Sequence, residues 1–244
     1  MFLEGMNVNY YFMPLEEQPD YGYGMIGSIY YAAANDLCSS EKFREDWYLV
    51  LPVNFLRRHC IELFLKSCII LFHKKFKLNF DNDKCTGEPK IKLNNGTWVL
   101  LKTTHNIKDL YNYLDFLIKS NKDYLSKNTT TIWKFNDEFE KWIDKINGYD
   151  SVSDYFRYPI SKDKNKDKNK NFFRENTMQG IQKEIEQGKK TITLIVEDSN
   201  GDAKKIYSNH KPDKIVDLFK ILQKTSDELS GFHTAVRMEL FNGF

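Results

Sequence analysis

Four residues of one segment pose the chemical question: Arg58, His59, Glu62 and Lys66, within the run PVNFLRRHCIELFLKSCIILF at residues 52–72. Arg58, Glu62 and Lys66 stand four residues apart, so on a helix they form one column. His59 lies beside that column, three residues before Glu62. A carboxylate next to a histidine can fix the imidazole tautomer and raise its basicity. Flanking cations suit a phosphate. The set could therefore do acid–base work or bind phosphate. It could equally do a plainer job. Buried charges persist only when paired, and the column could bridge to neighbouring helices and to Asp154 or Arg157.

Those residues need a helix to hold them. Leu56, Cys60, Leu63, Phe64 and Ile70 or Leu71 recur at three- and four-residue spacing. Pro52 fits a first turn, where its missing N–H costs nothing. Apolar positions outnumber polar ones, which predicts a central helix over residues 52–72, contacted on several sides.

Other elements follow from the same reasoning. Residues 22–38 carry Ile26, Ile29, Tyr30, Ala33 and Leu37 at helical period, with glycines and alanines suited to close packing. Residues 84–101 hold two β-prone runs around Asn94-Asn95-Gly96, a hairpin signal. An amphipathic helix follows, with Thr103 or Thr104 as N-cap and Ile107, Leu110, Leu114, Leu117 and Ile118 as its stripe. Residues 131–146 read as another helix, ended by Gly148. Pro159 forbids a helix through residues 150–160.

The tract SKDKNKDKNKN, residues 161–171, reads as a mobile, solvated loop. Residues 172–187 read as helical. A second hairpin is expected over 190–208, with the acidic Asp198–Asp202 stretch as its turn, and a last helix over 211–229. The N-terminal aromatics Tyr10, Tyr11, Phe12, Tyr21 and Tyr23 suit packing of that segment onto the bundle. Trp98, Trp133 and Trp142 suit the core.

The 244 residues are read as a single mainly α domain with two hairpin insertions. Net charge is only +2, from 36 basic and 34 acidic residues, which argues against a globally basic nucleic-acid binder. Cys38, Cys60, Cys68 and Cys85 lack CxxC spacing, so free thiols in a reducing cytoplasm are expected. No signal-peptide pattern opens the sequence. The most apolar stretch, residues 60–72, is interrupted by Glu62 and Lys66 and falls short of the ~20 residues a bilayer requires. No P-loop, GxSxG or HExxH occurs, and no cofactor or metal is expected.

Three short motifs carry a family resemblance. FLRRHCIELFLKSCI resembles the signature helix of the HEPN-like bacterial proteins. THNIKDL, with His105, resembles that family's next helix start. DSVSDYFRYP, with Arg157, Tyr158 and Pro159, resembles its aspartate-rich loop and Arg-Tyr-Pro element. Together they cover roughly an eighth of the chain. The resemblance implies an all-α, up-and-down bundle of four or five helices, assembled as a homodimer. It implies a part in bacterial defence or a toxin–antitoxin system, acting through RNA, nucleotide or protein binding and away from the membrane.

Active members are metal-independent ribonucleases. They use an Arg and a His separated by four to six residues, the His working on the ribose 2′-OH and the Arg on the phosphate. None of the six arginines here has a His at that spacing. A ribonuclease would need a rearranged site, with His59, Arg157, Glu62 and His105 as its catalytic set and Arg58 and Lys66 binding phosphate. The remaining alternative is an interaction protein whose charged column only locks the bundle.

Overall fold

The structure, a computed structural model, describes residues 10, 12–45, 47–161, 163–210 and 213–243. The chain is mainly helical, with two small sheets. Nine α-helices occur among the described residues: α1 (Tyr23–Ser39), α2 (Glu41–Glu45), α3 (Val50–Phe76), α4 (Ile107–Ser120), α5 (Lys122–Asn128), α6 (Phe139–Tyr149), α7 (Lys164–Asp167), α8 (Met178–Glu186) and α9 (Asp213–Ala235). A π-helical turn, Val236–Leu240, extends α9.

Helix α3 is the axis of the molecule. Helices α1, α4 and α9 pack around it, and α6 packs on α4 and α9. A helix contacted on every side cannot keep one polar face, and most of α3 from Val53 to His73 is buried. The core joins Phe64, Ile69 and Phe72 of α3 to Leu114 and Leu117 of α4, Ile143 of α6 and Leu222 and Leu229 of α9. Near its end His73 is buried as a neutral ring, held between the Leu78 carbonyl at 3.0 Å and the Tyr113 hydroxyl at 2.8 Å. Burial pushes its pKa down to about 4. No helix among the described residues is long and apolar enough to cross a membrane.

The first hairpin forms as expected. Strand β1 (Lys90–Lys92) pairs antiparallel with β2 (Trp98–Leu100), Ile91 opposite Val99. Gly96, at φ +87°, supplies the left-handed turn residue. The second hairpin, β4 (Thr193–Glu197) and β5 (Ala203–Asn209), belongs to a three-stranded sheet. Its third strand, β3 (Phe173–Glu175), pairs with β5 on the opposite side from β4. Residues 173–175 are thus a strand and not the start of a helix. Helicity begins only at Met178, where the Thr177 hydroxyl caps the Gly180 amide.

Other boundaries also shift. The N-cap of α4 is Asn106, whose side chain accepts from the Lys108 and Asp109 amides, and not Thr103 or Thr104. Residues 131–138 are not helical. Glu239 takes the amides and hydroxyls of Thr130 and Thr131, Glu228 takes the Asn136 amide, and Ile132 is left 85% exposed. The Lys/Asn/Asp tract, apart from Lys162, contains α7 and a 3-10 turn. Within it Lys170 is buried, donating to Asp167 and to the Tyr158 carbonyl. The final helix runs further than expected, and residues 211–212 lie outside the described set. Tyr11 also lies outside that set, Tyr10 is buried against the Arg237 guanidinium, and Phe12 is 79% exposed. Trp98, Trp133 and Trp142 pack partly buried against the core, and all four cysteines are free thiols.

The start of α1 is fixed by close approach. Asp20 accepts from the Gly22 and Gly24 amides at 3.1 and 2.7 Å and from the Ser67 hydroxyl of α3 at 2.5 Å. Gly24 lies against the buried His233 ring of α9, leaving no room for a methyl group. Gly24→Ala should therefore cost about 1–3 kcal/mol of stability. Urea denaturation would show a lower midpoint with an unchanged slope. A midpoint equal to wild type would mean that α1 withdraws from His233 without penalty.

Candidate functional site

The column on α3 forms as the spacing predicts, and it faces inward. Arg58, Glu62 and Lys66 are 1–2% exposed. Glu62 accepts from Arg58 at 3.2 Å through one oxygen and from Lys66 at 2.8 Å through the other. Burial works against the Glu62 charge. The fields of Arg58 and Lys66 outweigh burial and hold the carboxyl below its ordinary range.

The cations reach further, to backbone carbonyls of three connecting segments. Lys66 donates to the Lys102 carbonyl, where the first hairpin ends, at 3.4 Å. Arg58 Nη2 donates to the His105 carbonyl, just before α4, at 2.6 Å. Its Nε and Nη2 also donate to the Asp150 carbonyl, just after α6, at 3.3 and 3.2 Å. The buried Asp150 carboxylate stands 4.0 Å from Arg58 Nε. Its Oδ1 accepts from the Asp154 and Tyr155 amides, which shapes the turn after α6. Two cations and two carboxylates balance, and together they tie three connecting segments to the central helix.

One edge of this network reaches solvent. The His105 side chain is 45% exposed, and its Nδ1 lies 3.0 Å from Glu62 Oε1. An ionised carboxylate only accepts, so Nδ1 carries the proton, and in the neutral ring Nε2 is left as an acceptor. The ring lines a cavity of about 380 Å³ between the first hairpin and the loop after α6. Thr103, Thr104, Asn106 and Ser151 give that cavity hydroxyls and an amide, and Asp109 adds a carboxylate. Apart from His105, no basic side chain lines it. A histidine oriented by a buried carboxylate is competent as a base. Arg58 and Lys66 stand behind Glu62 with their donors on that carboxylate and on backbone carbonyls, and among the described residues they line no part of the cavity.

The remaining sequence candidates fall elsewhere. His59 is half-buried, stacked on Phe55 and met edge-on by Tyr30 at 4.7 Å. Burial lowers its pKa. Glu62 opposes that shift, and the charges of Arg58, Lys66 and Arg157 add to it, so the ring is neutral at pH 7. Arg157 is exposed and bonds its neighbour Tyr158, with the guanidinium 5.2 Å from that ring. Among the described residues no hydrogen bond or ion pair joins Arg157 to His59, Glu62 or His105. The structure thus gathers Arg58, Glu62, Lys66 and His105. It leaves His59 in an aromatic sandwich and Arg157 on the surface. It also spends Arg58 and Lys66 on interior partners, where phosphate binding had been expected. Asp150 was not among the sequence candidates. Its place at the head of the DSVSD turn was the available signal.

Glu62→Gln leaves two buried cations undercompensated and should cost about 3–5 kcal/mol at neutral pH. A carboxyl with a lowered native pKa stabilises fully above its ordinary value of 4.5 and loses that contribution as pH falls through the native value. Wild type should therefore lose more stability than the variant on acidification below 4.5. Urea midpoints at neutral and acid pH measure this. Parallel acid losses in the two proteins would contradict the charge network.

No family model matches this chain, and comparison with curated proteins and with solved structures likewise finds no match.

Proposed function

We propose that the chain is a HEPN-like helical module that acts by binding a protein partner rather than by cutting RNA. The bacterial defence or toxin–antitoxin setting comes with the resemblance. Support for the module comes from the convergence of its three motif segments. Arg58, Glu62 and Lys66 of the first, His105 of the second and Asp150 of the third share one hydrogen-bonded cluster.

One observation carries the choice of binding over cleavage. The donors of Arg58 and Lys66 are committed to Glu62 and to the carbonyls of Lys102, His105 and Asp150. The exposed His105 then shares its cavity with Asp109 and with no cation. A neutral imidazole acceptor beside a carboxylate suits the guanidinium or ammonium of a partner's side chain better than a phosphate. The second reading, a metal-independent ribonuclease, draws on the same His105–Glu62 pair, which has the orientation of a general base.

Imidazole NMR of the labelled protein separates the two. Acetyl-arginine amide should shift the His105 signals, and inorganic phosphate should not. Total and transfer RNA incubated with the protein in EDTA should stay intact. Cleavage that is lost in His105→Ala, or a phosphate response in place of an arginine response, would overturn the binding reading.

A further inference from the structure

Strand β4 is unusual for an edge strand. All five of its residues are exposed, and with the preceding Ile192 it reads ITLIVE. Ile192, Leu194, Ile195 and Val196 are 64%, 57%, 46% and 40% exposed. Among the described residues the sheet order β3-β5-β4 leaves one side of β4 unpaired. Folded proteins blunt such edges with proline, bulges or inward charges. Here the strand contains no proline, and the bulge lies across from it. Val196 faces Lys205 and Glu197 faces Ala203, so the extra residue, Lys204, is on β5.

The backbone groups at the free edge follow from the pairing. The Asn176 amide donates to the Ile206 carbonyl, so Ile206 turns toward β3. The Asn209 amide donates to the Ile192 carbonyl, so Ile192 turns toward β5. Ladder groups alternate along a strand. Leu194 and Val196 therefore bond to β5, and the N–H and C=O of Thr193 and Ile195 face outward.

We infer that β4 pairs antiparallel with β4 of a second copy of the chain, about a two-fold axis through Leu194. In that register Thr193 exchanges both hydrogen bonds with Ile195 of the second copy, and Ile195 does the same with Thr193. Leu194 meets its own mate, and Ile192 faces Val196. These are non-hydrogen-bonded positions, where side chains come closest. Charge closes both ends of the apolar ladder, because exposed Lys190 falls opposite exposed Asp198. The edge is thus self-complementary in hydrogen bonds, apolar side chains and charge, as a two-fold interface requires. Two three-stranded sheets become one of six strands, with the bundles on the outside. Nothing in this pairing involves the His105 cavity.

Light scattering behind size exclusion, across a dilution series, tests the pairing. Wild type should reach about twice the 28.9 kDa of one chain at high concentration. Leu194→Lys sets two ammonium groups against each other on the axis and should leave a monomer. Ile195→Pro removes an outward-facing donor while sparing the β4–β5 ladder, and should do the same. Circular dichroism of both variants should match wild type. Leu194→Cys should cross-link under mild oxidation, since ~4.5 Å between opposed Cα atoms lies within disulfide reach. A wild-type monomer at every concentration, or a dimer that survives both edge variants, would overturn the inference.

Discussion

The buried ion network of α3 is the constraint on which the bundle depends. Moving a carboxylate or an ammonium out of water costs several kcal/mol per ion even after relaxation. That cost is offset only if each charge finds partners with good geometry. Glu62 has three, and Arg58 and Lys66 spread their donors over Glu62 and three backbone carbonyls. Those carbonyls belong to the ends of a hairpin and a helix and to the approach of another helix. There the chain has left one ladder of hydrogen bonds and not yet entered the next. A buried carbonyl in such a place needs a donor, and long cationic side chains from the central helix reach it. The network thus specifies how the connections lie as much as it stabilises them.

This placement decides what the same residues can do outward. A guanidinium with its donors already engaged has little left for a ligand, and at 1% exposure Arg58 has no path to one. What reaches solvent is the His105 ring, oriented by Glu62 at the mouth of a polar cavity. His59 lies one residue along the helix from Arg58, yet its stacking on Phe55 and its edge-on contact with Tyr30 make it a packing element.

Much of this was legible in the sequence where the signal is local. The four-residue spacing of Arg58, Glu62 and Lys66 gave a correct column, and apolar periodicity located α1, α3, α4 and α9. Asn94-Asn95-Gly96 placed the first hairpin. The reading failed where the deciding partner is remote. The stretch 131–138 has helical period in Ile132 and Phe135, yet Glu228 and Glu239, about a hundred residues on, take its amides. Strand β3 is three residues long and exists because β5 pairs with it. The inward direction of the column was illegible for a related reason. Its partners are backbone carbonyls, which leave no mark on residue type. Asn106 and Thr104 are comparable N-caps by type, and only the path of the chain over Glu62 favours the later one.

Amide hydrogen exchange of Arg58→Met beside wild type tests the central claim most directly, because Met keeps the length and removes the donors. If Arg58 is the tie, exchange should rise together at the start of α4 and in the turn after Asp150, two segments far apart in sequence, and stay unchanged in the β3–β5–β4 sheet. Unchanged exchange in both segments would contradict the account and return Arg58 to the list of residues awaiting a ligand.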